Sequence, residues 1–97
     1  MNQLNFEAND YLQYVEGIAE SDPTTANLIL SDRIFGLTKL FFDLKQMWTP
    51  APKQRVAKIR ELNEGLYKLL SDFYSDNQSL TEKIVAGRKI VKAVFED

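Results

Sequence analysis

Val56, Ile59, Leu62, Leu66, Leu69 and Phe73 recur at spacings of three and four residues. At 3.6 residues per turn, that spacing gathers all six side chains on one helical face. A strand would scatter them over both of its faces. An apolar stripe of this length has to be buried, so the chain must supply further amphipathic helices to cover it.

Three more such patterns are present. Helix 1 is predicted over about residues 4–20, with Ala8, Leu12, Val15, Ile18 and Ala19 at helical spacing and Leu4, Tyr11 and Tyr14 near the same face. Ser21-Asp22-Pro23 then offers a cap and a proline for the first turn of the next helix. Helix 2 is predicted over about 23–47, striped by Ala26, Leu30, Ile34, Leu37, Phe41 and Leu44 and widened by Ile29, Leu40 and Met47. Gly36 weakens its middle by roughly 1 kcal/mol relative to alanine, so a bend near Ser31–Gly36 is an open alternative. In Thr49-Pro50-Ala51-Pro52 each proline pushes the residue before it out of the helical region. Either Thr49 or Ala51 is therefore extended, and Thr49 is a candidate cap with Pro50 at the first helical position of helix 3, which is predicted over about 52–74. A polar turn, Asp76-Asn77-Gln78, leads to Ser79, three residues before Glu82. That capping-box spacing marks the start of helix 4, predicted over about 80–95. The expected fold is an all-α, antiparallel four-helix bundle in a single domain spanning residues 1–97.

Composition narrows the chemistry. The chain contains no cysteine and no histidine. Thiol nucleophiles, imidazole bases and the usual zinc ligands are thereby removed. The four glycines are isolated inside helical patterns, so no phosphate-cradling loop is present. Their expected role is to let neighbouring helices approach, Gly87 above all. Glu61 and Glu64 lie among Lys58, Arg60 and Lys68 and read as solvated surface charges. No catalytic residue, metal site or cofactor is predicted, and the chain reads as a non-enzyme. The N-terminal MNQLNFEANDY has neither a basic region nor an apolar core, and no apolar run approaches the roughly 20 residues needed to span a bilayer. A cytoplasmic location is expected, with membrane association as an addition to it.

Charge is unevenly placed. Residues 1–32 hold six acids and no Lys or Arg, while the remainder holds all 12 basic groups and eight acids. One reading is attraction between an acidic first helix and basic later ones. The other is a basic face offered to an anionic partner. Lys53, Arg55, Lys58 and Arg60 crowd the start of helix 3, where the helix dipole disfavours positive charge. Arg88, Lys89 and Lys92 lie near the end of helix 4. KIVAGRKIVKAVF reads first as a core helix and second as a basic amphipathic helix for an anionic membrane. Trp48 reads first as a cover for the end of the bundle. The alternative is that it shares a partner-binding surface with Lys53 and Arg55. The candidate binding residues are therefore Trp48, Lys53, Arg55, Arg88, Lys89 and Lys92. Nucleic acid is not expected as a partner, because neither the charge balance nor a helix-turn-helix spacing calls for it.

The run ILSDRIFGLTKLFFDLKQMWTPAPKQRVAKIRELNEGLYKLLSDF resembles the middle of the class II (pediocin-like) bacteriocin immunity proteins of lactic acid bacteria. The features in common are the "L-x-K-L … L-K … W-T-P" lead into the turn and the "E-L-N-E-G-L-Y-K-L-L" helix after it. The resemblance spans about residues 28–75. It implies an antiparallel four-helix bundle and a non-catalytic, self-protecting role in the producer cell. The implied partner is the bacteriocin-bound membrane receptor, a sugar phosphotransferase permease, met from the cytoplasmic side. It also implies that specificity lies in the C-terminal half, which here is helix 3, the Asp76–Ser79 turn and helix 4. The alternatives to this function are a small helical interaction or adaptor module and, further off, a nucleic-acid-binding regulator.

Overall fold

A computed structural model describes residues 3–75 and 77–96, with side chains described from Asn9 onward. The expectations for Leu4 and Ala8 as core residues, and for Asp76 in the turn, lie outside that description. The fold is all-α. Among the described residues there are five helices and no strand: α1 (Gln3–Ile18), α2 (Pro23–Leu44), α3 (Pro52–Leu62), α4 (Glu64–Phe73) and α5 (Leu80–Glu96).

The fifth helix arises because the predicted helix 3 is two helices. Asn63 adopts an extended conformation, φ −156° and ψ 93°, which interrupts the helical ladder. Its side-chain Oδ1 accepts the Leu66 backbone N–H at 3.0 Å, so one residue ends α3 and caps α4. Helix 2 is continuous through Ser31–Gly36 but stops at Leu44, three residues earlier than its apolar stripe suggests. There the Met47 N–H reaches the Phe42 carbonyl and the Gln46 N–H reaches the Asp43 carbonyl, each at 3.0 Å. This Schellman closure requires a left-handed residue, and Gln46 supplies it at φ 57° in a position where glycine is the usual occupant. At the other end of α2, Asp22 caps through the Thr25 N–H at 3.1 Å. Hydrogen bonds from the Thr25 side chain and backbone hold the Asp22 carboxyl below its ordinary pKa. The predicted capping box at α5 forms reciprocally, Glu82 N–H to Ser79 Oγ at 3.1 Å and Ser79 N–H to Glu82 Oε1 at 3.4 Å.

One hydrophobic core joins the helices. α1 contributes Leu12 and Val15, α2 the Ala26–Phe42 face, α4 Leu66, Leu70 and Phe73, and α5 Ile84 to Val94. α1 packs on α2 and α5, α2 on α5, and α4 on α5, whereas α3 meets α4 end to end at Asn63. Phe41 and Phe42 are both buried although they point about 100° apart, because α2 is covered on two adjoining faces at that level. Their rings meet edge to face, with centroids 5.3 Å apart. Gly87 has the packing role expected of it: a Cβ there would stand 3.2 Å from Leu12 and 3.4 Å from Leu30. Gly17 and Gly36 do not, since nothing lies within 4 Å of a Cβ at either. Ile84, Ala86, Ile90, Val91 and Val94 of α5 lie in this core, as the first reading of that helix expects. No helix among the described residues is long and apolar enough to cross a membrane.

Candidate binding surface

The corner between α2 and α3 is built by the features that end one helix and start the next. After the Schellman closure the chain leaves α2 at Met47, and the two prolines hold it extended until α3 begins. Ala51, at φ −56° and ψ 152°, is the N-cap residue and Pro52 the first helical position. Thr49 is not the cap, because Pro52 keeps Ala51 out of the helical region and so delays the start. Ala51 has no side chain able to cap, and no acid lies in the first turn of α3.

Arg55 fastens the corner. Its Nε donates to the Pro50 carbonyl and its Nη1 to Thr38 Oγ1, each at 3.1 Å. The guanidinium also lies over the Phe35 ring, 5.2 Å from the centroid. Thr38 Oγ1 in turn donates to the Phe35 carbonyl at 2.6 Å. The first turn of α3 is thereby tied to the Pro50 turn and to the middle of α2, about 17 residues earlier in sequence.

Trp48 projects from this fastened turn. It is 97% exposed, so it does not cover the end of the bundle. Helix α2 ends before the residue is reached and α3 starts four residues later, so no helical face lies against the indole. Met47 and Leu44 beside it are partly exposed, at 37% and 41%. Both belong to the predicted core stripe of helix 2. They lose their cover because α2 closes at Leu44 and the apolar pattern runs past the end of the packed helix. A shallow recess of about 420 Å³ lies alongside, lined by Lys39, Asp43, Gln46, Met47, Trp48 and Thr49. Lys39 and Asp43 are paired across one helical turn at 3.7 Å. Lys53, at the second position of α3, is exposed and has no ion-pair partner among the described residues.

The other predicted binding residues lie apart from this corner, on α5. Arg88 bonds Glu16 of α1, with Nε to Oε1 at 2.9 Å and a second bond through Nη2. It thus joins α1 to α5, as attraction between the acidic first helix and a basic later one would have it. Lys89 borders a recess of about 300 Å³ between α4 and α5, which also takes in Asp72, Glu82 and the half-exposed Val85. Lys92 is exposed. Trp48 thus lies on the turn between α2 and α3, Lys53 and Arg55 lie in the first residues of α3, and Arg88, Lys89 and Lys92 lie on α5. Leu44, Met47 and Gln46 are additions that periodicity concealed, since all three sit where an uninterrupted helix 2 would have run. Among the described residues, no group of three or more acidic side chains converges as a metal site would need.

Compared with known proteins, the chain matches no family model, no curated protein and no solved structure.

Proposed function

We propose that this chain is a non-catalytic binding protein that works through the α2–α3 corner, with Trp48 as its anchor. The observation that carries the reading is a fully exposed tryptophan on a turn held by a Schellman closure, two prolines and the Arg55 hydrogen bonds. Exposing so large an apolar side chain on a preorganised turn favours contact with something else, and tryptophan is enriched among the residues that dominate binding energy. Preorganisation also lowers the ordering cost of that contact.

The biological role proposed is immunity to a class II bacteriocin, exercised from the cytoplasmic side on the bacteriocin-bound sugar phosphotransferase permease. Its support is the resemblance over residues 28–75, a stretch that includes the whole corner. In this reading α3 and α4 are the two halves of one arm of an antiparallel four-helix bundle. Lys89 and Lys92 form a second contact surface on α5, in the half to which the resemblance assigns specificity.

The test is expression in a bacteriocin-sensitive strain followed by challenge with class II bacteriocins. Protection by the wild-type chain, lost in Trp48→Ala with the helical circular dichroism spectrum intact, is the expected result. Unchanged sensitivity with the wild-type chain rejects the immunity role. Protection that survives Trp48→Ala rejects the corner as the contact. Lys89→Glu with Lys92→Glu tests the second surface without breaking the Arg88–Glu16 bridge.

A further inference from the structure

Between Arg33 and Arg60 the chain holds seven basic residues and a single acid, Asp43. Asp43 is already paired with Lys39. The α2–α3 corner lies in the middle of this segment, so Trp48, Met47 and Leu44 are flanked in sequence by Lys39, Lys45 and Lys53 while the chain as a whole carries −2. Two acids of the first segment are placed differently. Glu20 and Asp22 stand at the start of α2, and 22 helical residues, about 33 Å, separate that end from the corner. Flanking α2, acids therefore stand before its start and Lys45 and Lys53 after its end, with the exposed Trp48 on the basic side.

Shape decides which anionic partner suits this end. The indole projects outward, and the neighbouring recess is shallow and open rather than a slot for an inserted side chain. A convex apolar tip needs either a complementary cavity on a protein or a surface that deforms around it. An anionic bilayer is such a surface. Tryptophan favours the headgroup level, where its ring is half in hydrocarbon and its N–H remains hydrogen-bonded, and lysines close to the surface are drawn to anionic lipid. Lys53 fits that use and is otherwise poorly placed. It sits in the first turn of α3, against the helix dipole, with no acid in that turn to offset it.

We infer that the α2–α3 corner is a peripheral membrane-docking element, in which Trp48 enters the headgroup region of an anionic bilayer and Lys53 meets its phosphates. This deepens the reading of the corner as the contact surface and rests on it. It does not depend on the immunity role, because the test needs neither bacteriocin nor receptor.

Trp48 is the chain's sole tryptophan, so its fluorescence reports on this corner alone. The full chain is titrated with vesicles of phosphatidylcholine, pure or mixed with phosphatidylglycerol. With the mixed vesicles the emission should shift to the blue and become shielded from acrylamide, and pure phosphatidylcholine should leave it unchanged. Lys53→Glu should weaken partitioning about tenfold or more, since each basic residue near such a surface contributes roughly a fivefold gain that the reversal turns into repulsion. The same substitution places an acid at the start of α3, where the helix dipole favours it, so a loss of binding cannot be ascribed to unfolding. Trp48→Ala, followed by co-sedimentation, should abolish retention on the vesicles. Unchanged emission with mixed vesicles, from a chain with a normal helical spectrum, overturns the inference. So does an equal shift with neutral and anionic vesicles. A shift seen only with the bacteriocin–permease complex in detergent overturns the lipid reading too, and would assign the corner to a protein.

Discussion

Helices α3 and α4 derive from one apolar stripe, yet different forces hold them. α4 has ten residues, of which Leu66, Leu70 and Phe73 are buried. It starts with a side-chain cap from Asn63 and an acid, Glu64, in its first turn, and it packs along α5. α3 has eleven residues and buries only Ile59. It starts without a side-chain cap, and Lys53 faces an unfavourable dipole. Val56 and Leu62, which share the stripe with Leu66 and Phe73, are 49% and 38% exposed. α4 is thus held by its own cap and by the core. α3 is held by Arg55 of its own first residues, by the single buried Ile59 and by its junction with α4. The contrast teaches that a continuous stripe sets helix type but not helix depth. Depth depends on what stands opposite, and α3 has little opposite it.

The largest test of this contrast compares one core position on each helix. Phe73→Ala should lose about 3–5 kcal/mol in urea unfolding, because the side chain is fully buried. Val56→Ala should stay within about 0.5 kcal/mol. A large loss at Val56 would mean that α3 is buried more deeply than its exposure shows. Next in size, Arg55→Ala removes two hydrogen bonds and the stacking on Phe35, at an expected cost of about 1–2 kcal/mol. Amide hydrogen exchange should then quicken in α3 and hardly change in α4. Equal acceleration in both would contradict separate anchoring.

Asn63→Ala should cost about 1 kcal/mol through loss of the α4 cap. Thermal melts will show this, and a rise in helical circular dichroism would mean that the two helices had fused. Ala51→Asp should act in the opposite direction, adding about 0.5–1 kcal/mol by giving α3 the side-chain cap and first-turn charge that α4 already has. The smallest effect expected is one of pH. The lowered Asp22 pKa means that this cap stabilises the fold above the unfolded carboxyl's value of about 3.9. The contribution fades as pH falls through the lower folded value. The Asn63 cap carries no titrating group, so acid should loosen the start of α2 before that of α4. Nuclear magnetic resonance of the Thr25 and Leu66 amides against pH would show the order, and simultaneous loss would refute it.

Much of this was legible in the residues themselves. The 3.6-residue period of Leu12 and Val15, of Ala26 to Phe41 and of Ile84 to Val94 fixed the helices and their buried faces, because that spacing leaves an amphipathic segment no other regular form. Asp22-Pro23 and Ser79-x-x-Glu82 fixed two helix starts, since a cap acts within three residues. Other features depended on groups that meet only in space. The stripe keeps its phase through Asn63, from Ile59 to Leu66, so periodicity alone could not reveal the break. A side-chain cap on Leu66 N–H competes with continuing the helix, and the choice rests on the packing of α4 against α5. The end of α2 at Leu44 was hidden in the same way, because Gln46 is not the residue type that usually takes the left-handed position. The exposure of Trp48 was a tertiary outcome as well. Local sequence placed it beside a proline turn. Only the closure at Gln46, and the tie from Arg55 to Thr38 and Pro50, left no helix against the indole and turned it outward.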